Sequence, residues 1–166
     1  MLSAMVNAAN LVIDTSQMSV YTLADMIRER IDRRKVKSLS IMLESFGFKS
    51  GIPADADFVF DVRCLPNPYW INELRNLTGR DPEVIEFLDS QPAVATMLHD
   101  IVSFLQRRIP ENVSVKRNYL TIAVGCTGGQ HRSVYLVEKI AEALGEEHDP
   151  VLKRHNELDP RNPPPQ

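Results

Sequence analysis

Residues 119–145 read YLTIAVGCTGGQHRSVYLVEKIAEALG, and this stretch decides the fold. Tyr119 to Val124 is the most strand-like run in the chain, apolar and rich in residues that favour a pleated surface. A glycine-rich loop follows. Val134, Val137, Ile140 or Ala141, and Leu144 then recur at helical spacing up to Gly145, where glycine suits a helix end. Working outward, the alternation repeats. Ser38 to Glu44 (SLSIMLE) is strand-like through Leu39, Ile41 and Leu43, and Asp57 to Arg63 (DFVFDVR) through Phe58 and Phe60. Asp81-Pro82 opens a short helix, proline being tolerated where the missing N–H has no partner to lose. A longer helix starts near Pro92, with Val94, Leu98, Ile101, Val102 and Leu105 at helical spacing. Leu11–Val12–Ile13 reads as a strand, and from Thr22 a helix places Leu23, Met26, Ile27 and Ile31 on one face. Strands alternating with helices predict an α/β fold: a mostly parallel sheet with flanking helices.

The 166 residues carry 43% apolar and 25% charged side chains and a formal net charge of −3, the composition of a soluble domain with a real core. No apolar run approaches the ~18 residues of a membrane span, and Met1 to Asn10 lacks the basic start and apolar stretch of a signal peptide. Cys64 and Cys126 are too few for a disulfide framework, so the expected location is the reducing cytoplasm. Net acidity argues against a surface that grips nucleic acid everywhere, while leaving room for a local basic patch. Residues 156–166, with Pro160, Pro163, Pro164 and Pro165, read as a disordered tail, since they show no apolar periodicity.

The segment Gly125-Cys-Thr-Gly-Gly-Gln-His-Arg-Ser133 lies between the best strand and a helix start. Open α/β sheets bind ligands there, outside the carboxyl ends of their strands. Gly128 and Gly129 let the backbone approach a ligand closely, and the helix N-terminus favours an anion. Arg132 offers the fork geometry that suits phosphate; His131, Thr127 and Ser133 add further hydrogen-bonding groups. An anion site, most simply for phosphate, fits these residues better than a plain tight turn. No GxxxxGK[ST] occurs, which excludes a Walker-type P-loop. A second chemistry stays open. Cys126, five residues, Arg132 and Ser133 reproduce the spacing of a cysteine-dependent phosphatase loop, in which a thiolate attacks phosphorus; Asp61 is the nearest candidate acid.

The sequence GCTGGQHRSVYLVEKIAEAL resembles the signature of the RapZ/YvcJ proteins, the RNase adapter family, in their C-terminal domain. SIMLESFGFKSGIPADADFVFDVRCLPNPYW, LTGRDPEVIEFLD and NYLTIAV resemble the same family, so the likeness spans about residues 11–155. It implies a phosphofructokinase-like α/β subdomain that senses glucosamine 6-phosphate, binds a small regulatory RNA, and presents it to an endoribonuclease as a homo-oligomer. On this resemblance the chain is an adapter and not an enzyme. Residues 1–37 resemble the end of the family's N-terminal nucleotide-binding domain. The family's ATP/GTP site lies in a P-loop region that this sequence lacks, so no cofactor is expected here. Residues 38–155 are then the phosphosugar- and RNA-binding domain. Two departures stand out: Tyr69 in LPNPYW replaces a histidine of the sugar-phosphate pocket, and Lys153-Arg154-His155 is thinner in positive charge than the family's basic end.

Two more loops follow predicted strands. Lys49, in SFGFKSG, is a candidate second phosphate contact, and Asn67 and Tyr69 sit where Pro66 and Pro68 stiffen the chain. Tyr119 completes the expected ligand set. Three loops converging on one sheet edge make a pocket. Arg63 either reaches that pocket or pairs with Asp61. Arg28, Arg30, Arg33, Arg34, Lys35 and Lys37 read as a solvated helix end ahead of an RNA contact. His99 reads as partly buried, and His148 and His155 lack the spacing of metal ligands.

Overall fold

The computed structural model describes residues 39–158. The strand expected at Leu11–Ile13, the helix from Thr22, the basic run ending at Lys37 and residues 159–166 lie outside the described residues. Among the described residues, four strands form one sheet: β1 (Ser40–Gly47), β2 (Phe58–Asp61), β3 (Tyr119–Cys126) and β4 (Val151–His155). Their spatial order is β2-β3-β1-β4 and every pairing is parallel. Helices α1 (Pro82–Asp89) and α2 (Pro92–Ser114) link β2 to β3, and α3 (Arg132–Gly145) links β3 to β4. The α/β architecture expected from the alternation of elements is the one found.

Period-two alternation builds the core. Ile41 and Leu43 of β1 share it with Leu120, Ile122 and Val124 of β3, against Leu136, Val137, Ile140 and Leu144 of α3. Phe58 and Phe60 of β2 meet Phe104 of α2 edge-on, with ring centroids 5.2 and 5.7 Å apart. His99 on α2 is exposed, not partly buried; its neighbours Met97 and Leu98 turn toward the core instead.

Strand β4 was not foreseen, because Val-Leu-Lys-Arg-His is short and three of its five residues are polar. Its strand character comes from pairing in register with β1, Ile41 opposite Val151 and Ser45 opposite His155. Lysine and arginine on an edge strand also discourage further pairing. The expected tail begins too early for the same reason. Asn156 N–H donates to the Ser45 carbonyl at 3.0 Å, and Glu157 is buried with its carboxylate on the Gly47 N–H. Residues 156–158 therefore continue the ordered edge of the sheet. Among the described residues, no helix is long and apolar enough to cross a membrane.

Candidate functional site

Parallel strands deliver all their carboxyl ends to one side, and a cavity of about 460 Å³ opens there. Each strand contributes. Lys49 follows β1, Asn67 and Tyr69 follow β2, the loop Cys126–Arg132 follows β3, and Glu157 follows β4. The three loops expected to converge do so, and a fourth joins them.

The β3–α3 loop forms the cavity's base. Gly129 adopts φ +67°, in the left-handed region that favours glycine. Gly128 has open space on the side where a Cβ would stand, so a ligand can approach its backbone directly. No side chain caps the N-terminus of α3, which leaves its dipole and N–H groups directed to an anion. Thr127 is exposed, and its carbonyl accepts from the Lys49 N–H at 3.3 Å, joining the first and third loops. Lys49 itself is exposed and makes no ion pair among the described residues.

Arg132 is only 4% exposed. Its Nη1 donates to the carbonyls of Arg63 and Leu65, at 2.8 and 3.0 Å, and its Nη2 to Thr127 Oγ1 at 3.4 Å. The guanidinium therefore clamps the second loop to the third, and offers a ligand its field more than its fork. His131 is buried as well, and its Nε2 lies 3.2 Å from the Leu74 carbonyl. That oxygen can only accept, so Nε2 carries the proton. Burial pushes the His131 pKa down, with Arg132 adding to the effect, so the ring is neutral near pH 7 and supplies no cation. Arg63 resolves toward the pairing alternative: Nε and Nη2 both bond the Asp61 carboxylate.

Two expected ligand residues stand elsewhere. Ser133 is fully buried, its Oγ 3.2 Å from Cys126 Sγ, and is not among the residues lining the cavity. Tyr119 starts β3, opposite Ser40, at the far end of the strand. Seven residues of extended chain put it roughly 23 Å from the loop, so it is not a pocket contact. Three residues were missed. Trp70 is 74% exposed at the rim beside Tyr69, and Glu157 was assigned to the tail. Gly79 is the third: its N–H donates to the Gln130 carbonyl at 2.8 Å, and a Cβ there would meet the His131 carbonyl at 2.2 Å. Only glycine lets the LTGRD segment buttress the loop. A signal for it was present, since a lone glycine between polar residues marks close backbone approach.

A larger cavity of about 690 Å³ lies along the other side of α3. There Glu138 pairs with Arg80, Lys153 and His155, and Lys139 with Asp89, while Glu142 and Asp149 add negative charge to the lining. The strand-end cavity instead joins an uncapped helix start to the Lys49 ammonium, which suits an anion.

The sequence matches the RapZ C-terminal domain over residues 39–159. The chain belongs to the RapZ C-terminal domain family. A protein of Hahella chejuensis named a nucleotide-binding protein is 49% identical over 158 residues, covering 95% of this chain and 55% of that protein. One of Chromohalobacter salexigens with the same name is 50% identical over 149 residues, covering 90% and 50%. A third, from Stutzerimonas stutzeri, is named for the ptsN-ptsO intergenic region and is 47% identical over 158 residues, covering 95% and 55%. This RapZ-type chain thus spans about half the length of the curated relatives it matches. The match covers every element that lines the cavity.

Proposed function

We propose that this RapZ-type domain is the sensing part of an RNase adapter and binds a phosphorylated amino sugar, glucosamine 6-phosphate, in the strand-end cavity. The observation that supports the reading is the junction, around one cavity, of an uncapped helix N-terminus, the side-chain-free Gly128 and Lys49, which makes no ion pair among the described residues. Phosphate gains from the dipole, from N–H donors and from the cation together. Thr127 and Asn67 supply neutral hydrogen bonds, and Tyr69 takes the histidine's place as a hydrogen-bonding but uncharged group. The nucleotide binding in the relatives' names is not assigned to this sequence, which has no P-loop motif.

A thermal-shift panel of sugar phosphates tests the reading. Glucosamine 6-phosphate should raise the melting temperature of the wild type, and Lys49→Ala should weaken binding by roughly 10- to 100-fold through loss of a charge-assisted contact. Equal, negligible shifts across the panel would end the proposal. Binding of a small regulatory RNA, its presentation to an endoribonuclease, homo-oligomerisation and a cytoplasmic setting belong to the same reading, carried by the family likeness. Lys153 and Arg154, the basic residues nearest the expected RNA-binding end, already pair with Glu138 and Glu44. RNA affinity should accordingly be modest and fall steeply with salt in a gel shift; no complex even at low salt would reject that half.

The phosphatase alternative finds Cys126 lining the cavity. Its other parts are committed elsewhere. Arg132 holds backbone carbonyls, and the hydrogen bond from Arg63 holds Asp61 below the usual carboxylate range, the wrong direction for a general acid. Turnover of an aryl phosphate that vanished in Cys126→Ser would restore it.

A further inference from the structure

Three buried side-chain atoms have no hydrogen-bond partner among the described residues, and two of them belong to residues lining the strand-end cavity: Arg132 Nε and Glu157 Oε2. One is a donor and the other an acceptor. Glu157 is only 8% exposed. Its Oε1 accepts the Gly47 N–H at 2.8 Å, and the carboxylate fills the space where side chains at Gly47 and Gly129 would stand. An added Cβ would lie 3.1 Å from Oε1 at Gly47 and 2.2 Å from Oε2 at Gly129. A carboxylate is therefore wedged between the end of β1 and the anion loop. Among the described residues no cation answers it: the Nη groups of Arg132 hold carbonyls and Thr127, and neither Lys49 nor Glu157 makes an ion pair there.

A bare anion entering this cavity meets a negative neighbour. A ligand carrying a phosphate and an ammonium group satisfies both ends, because the ammonium discharges the carboxylate while the phosphate takes the loop and Lys49. We propose that Glu157 is a specificity-determining residue that reads the cationic group of the ligand, so that a phosphate on an amine-bearing sugar is chosen over the same phosphate on a neutral one. This rests on the phosphosugar reading above and adds to it the residue that discriminates. The cavity volume falls within the range of small-ligand sites.

Calorimetric titration of the full chain decides it, with glucosamine 6-phosphate, N-acetylglucosamine 6-phosphate and glucose 6-phosphate as probes. The wild type should prefer the free amine by about tenfold or more, the size of one charge-assisted contact. Glu157→Gln keeps an oxygen for the Gly47 N–H and loses the charge. In this variant the preference should collapse to about twofold or less, with affinity for glucose 6-phosphate unchanged or improved. A wild type that does not discriminate overturns the proposal without reference to any variant. So does a Glu157→Gln protein that keeps the preference, which leaves the phosphosugar reading standing. If none of the three sugars binds the wild type, the phosphosugar reading fails and takes this proposal with it.

Discussion

Arg132 Nη1 lies 2.8 Å from the backbone carbonyl of Arg63, across 69 residues of sequence. The same nitrogen reaches the Leu65 carbonyl at 3.0 Å. An arginine whose spacing suggested a phosphate clamp is thus a cross-loop tie. Its removal leaves two carbonyls without their donor, and each such loss costs about 1–3 kcal/mol. Arg132→Ala should lower unfolding free energy in urea by about 3 kcal/mol, with Arg132→Lys between it and the wild type, since one ammonium cannot reproduce the fork. A change below about 0.5 kcal/mol, the size of an ordinary surface substitution, would contradict the tie. Loss of ligand binding in Arg132→Ala therefore reports a displaced loop as readily as a lost contact.

The adjacent glycines separate folding from binding. Gly129 has φ +67°, and a Cβ there would meet Glu157 Oε2 at 2.2 Å. Gly129→Ala should cost roughly 1–3 kcal/mol of stability. Gly128 has nothing within 4 Å of a Cβ, so Gly128→Ala should leave the melting temperature within about a degree while narrowing the ligand's path to the backbone. Thermal melts with and without glucosamine 6-phosphate check both. Unchanged ligand shifts in Gly128→Ala would remove this loop from the site.

His131 makes stability depend on pH with a definite sign. Burial depresses its pKa below the ordinary value of 6.5, so between the two values the unfolded chain binds the proton and the folded chain does not. Stability then rises with pH across that interval. It is fully present above the unfolded pKa and is lost as pH falls below 6.5 toward the depressed folded value. Urea midpoints from pH 7.5 to 5 should decline more in the wild type than in His131→Gln, which keeps a donor for the Leu74 carbonyl. Parallel declines would assign the acid sensitivity to other groups.

What the sequence made legible follows physical range. Periodicity is local, so β1, β2, β3 and all three helices could be placed from their own residues. The rule that parallel strands present ligand loops at their carboxyl ends brought Lys49, Asn67, Tyr69 and Thr127 to one cavity. Strand β4 and Glu157 depend on partners about 110 positions away, and no pattern within VLKRHNEL announces them. Arginine and histidine at a helix start carry the same letters whether they face a ligand or the backbone. Arg132 and His131 chose the backbone because the second loop and Leu74 lie against them, which only the fold decides. Tyr119 fails for a simpler reason: a residue at the start of a strand is a full strand length from the loop at its end.

Glu44 and Arg154 stand directly opposite each other on β1 and β4, with Arg154 Nε 3.1 Å from Glu44 Oε2 and Nη2 on the same oxygen. Glu44 is fully enclosed, while the Arg154 side chain is nearly half exposed. The asymmetry predicts which substitution hurts. Arg154→Met strands a buried carboxylate, a class of change worth up to about 3–5 kcal/mol. Solvent access to the arginine reduces that here to roughly 2 kcal/mol. Glu44→Gln removes the buried charge and leaves an arginine that water can reach, so it should cost less than half as much. The double variant should then be more stable than Arg154→Met alone, a positive coupling that a four-member urea series would measure directly. Strict additivity would mean that the pair forms in the structure without holding β4 to the sheet. Since β4 carries Glu157 to the cavity, Arg154→Met should also weaken discrimination between amine-bearing and neutral sugar phosphates, although Arg154 does not line the site.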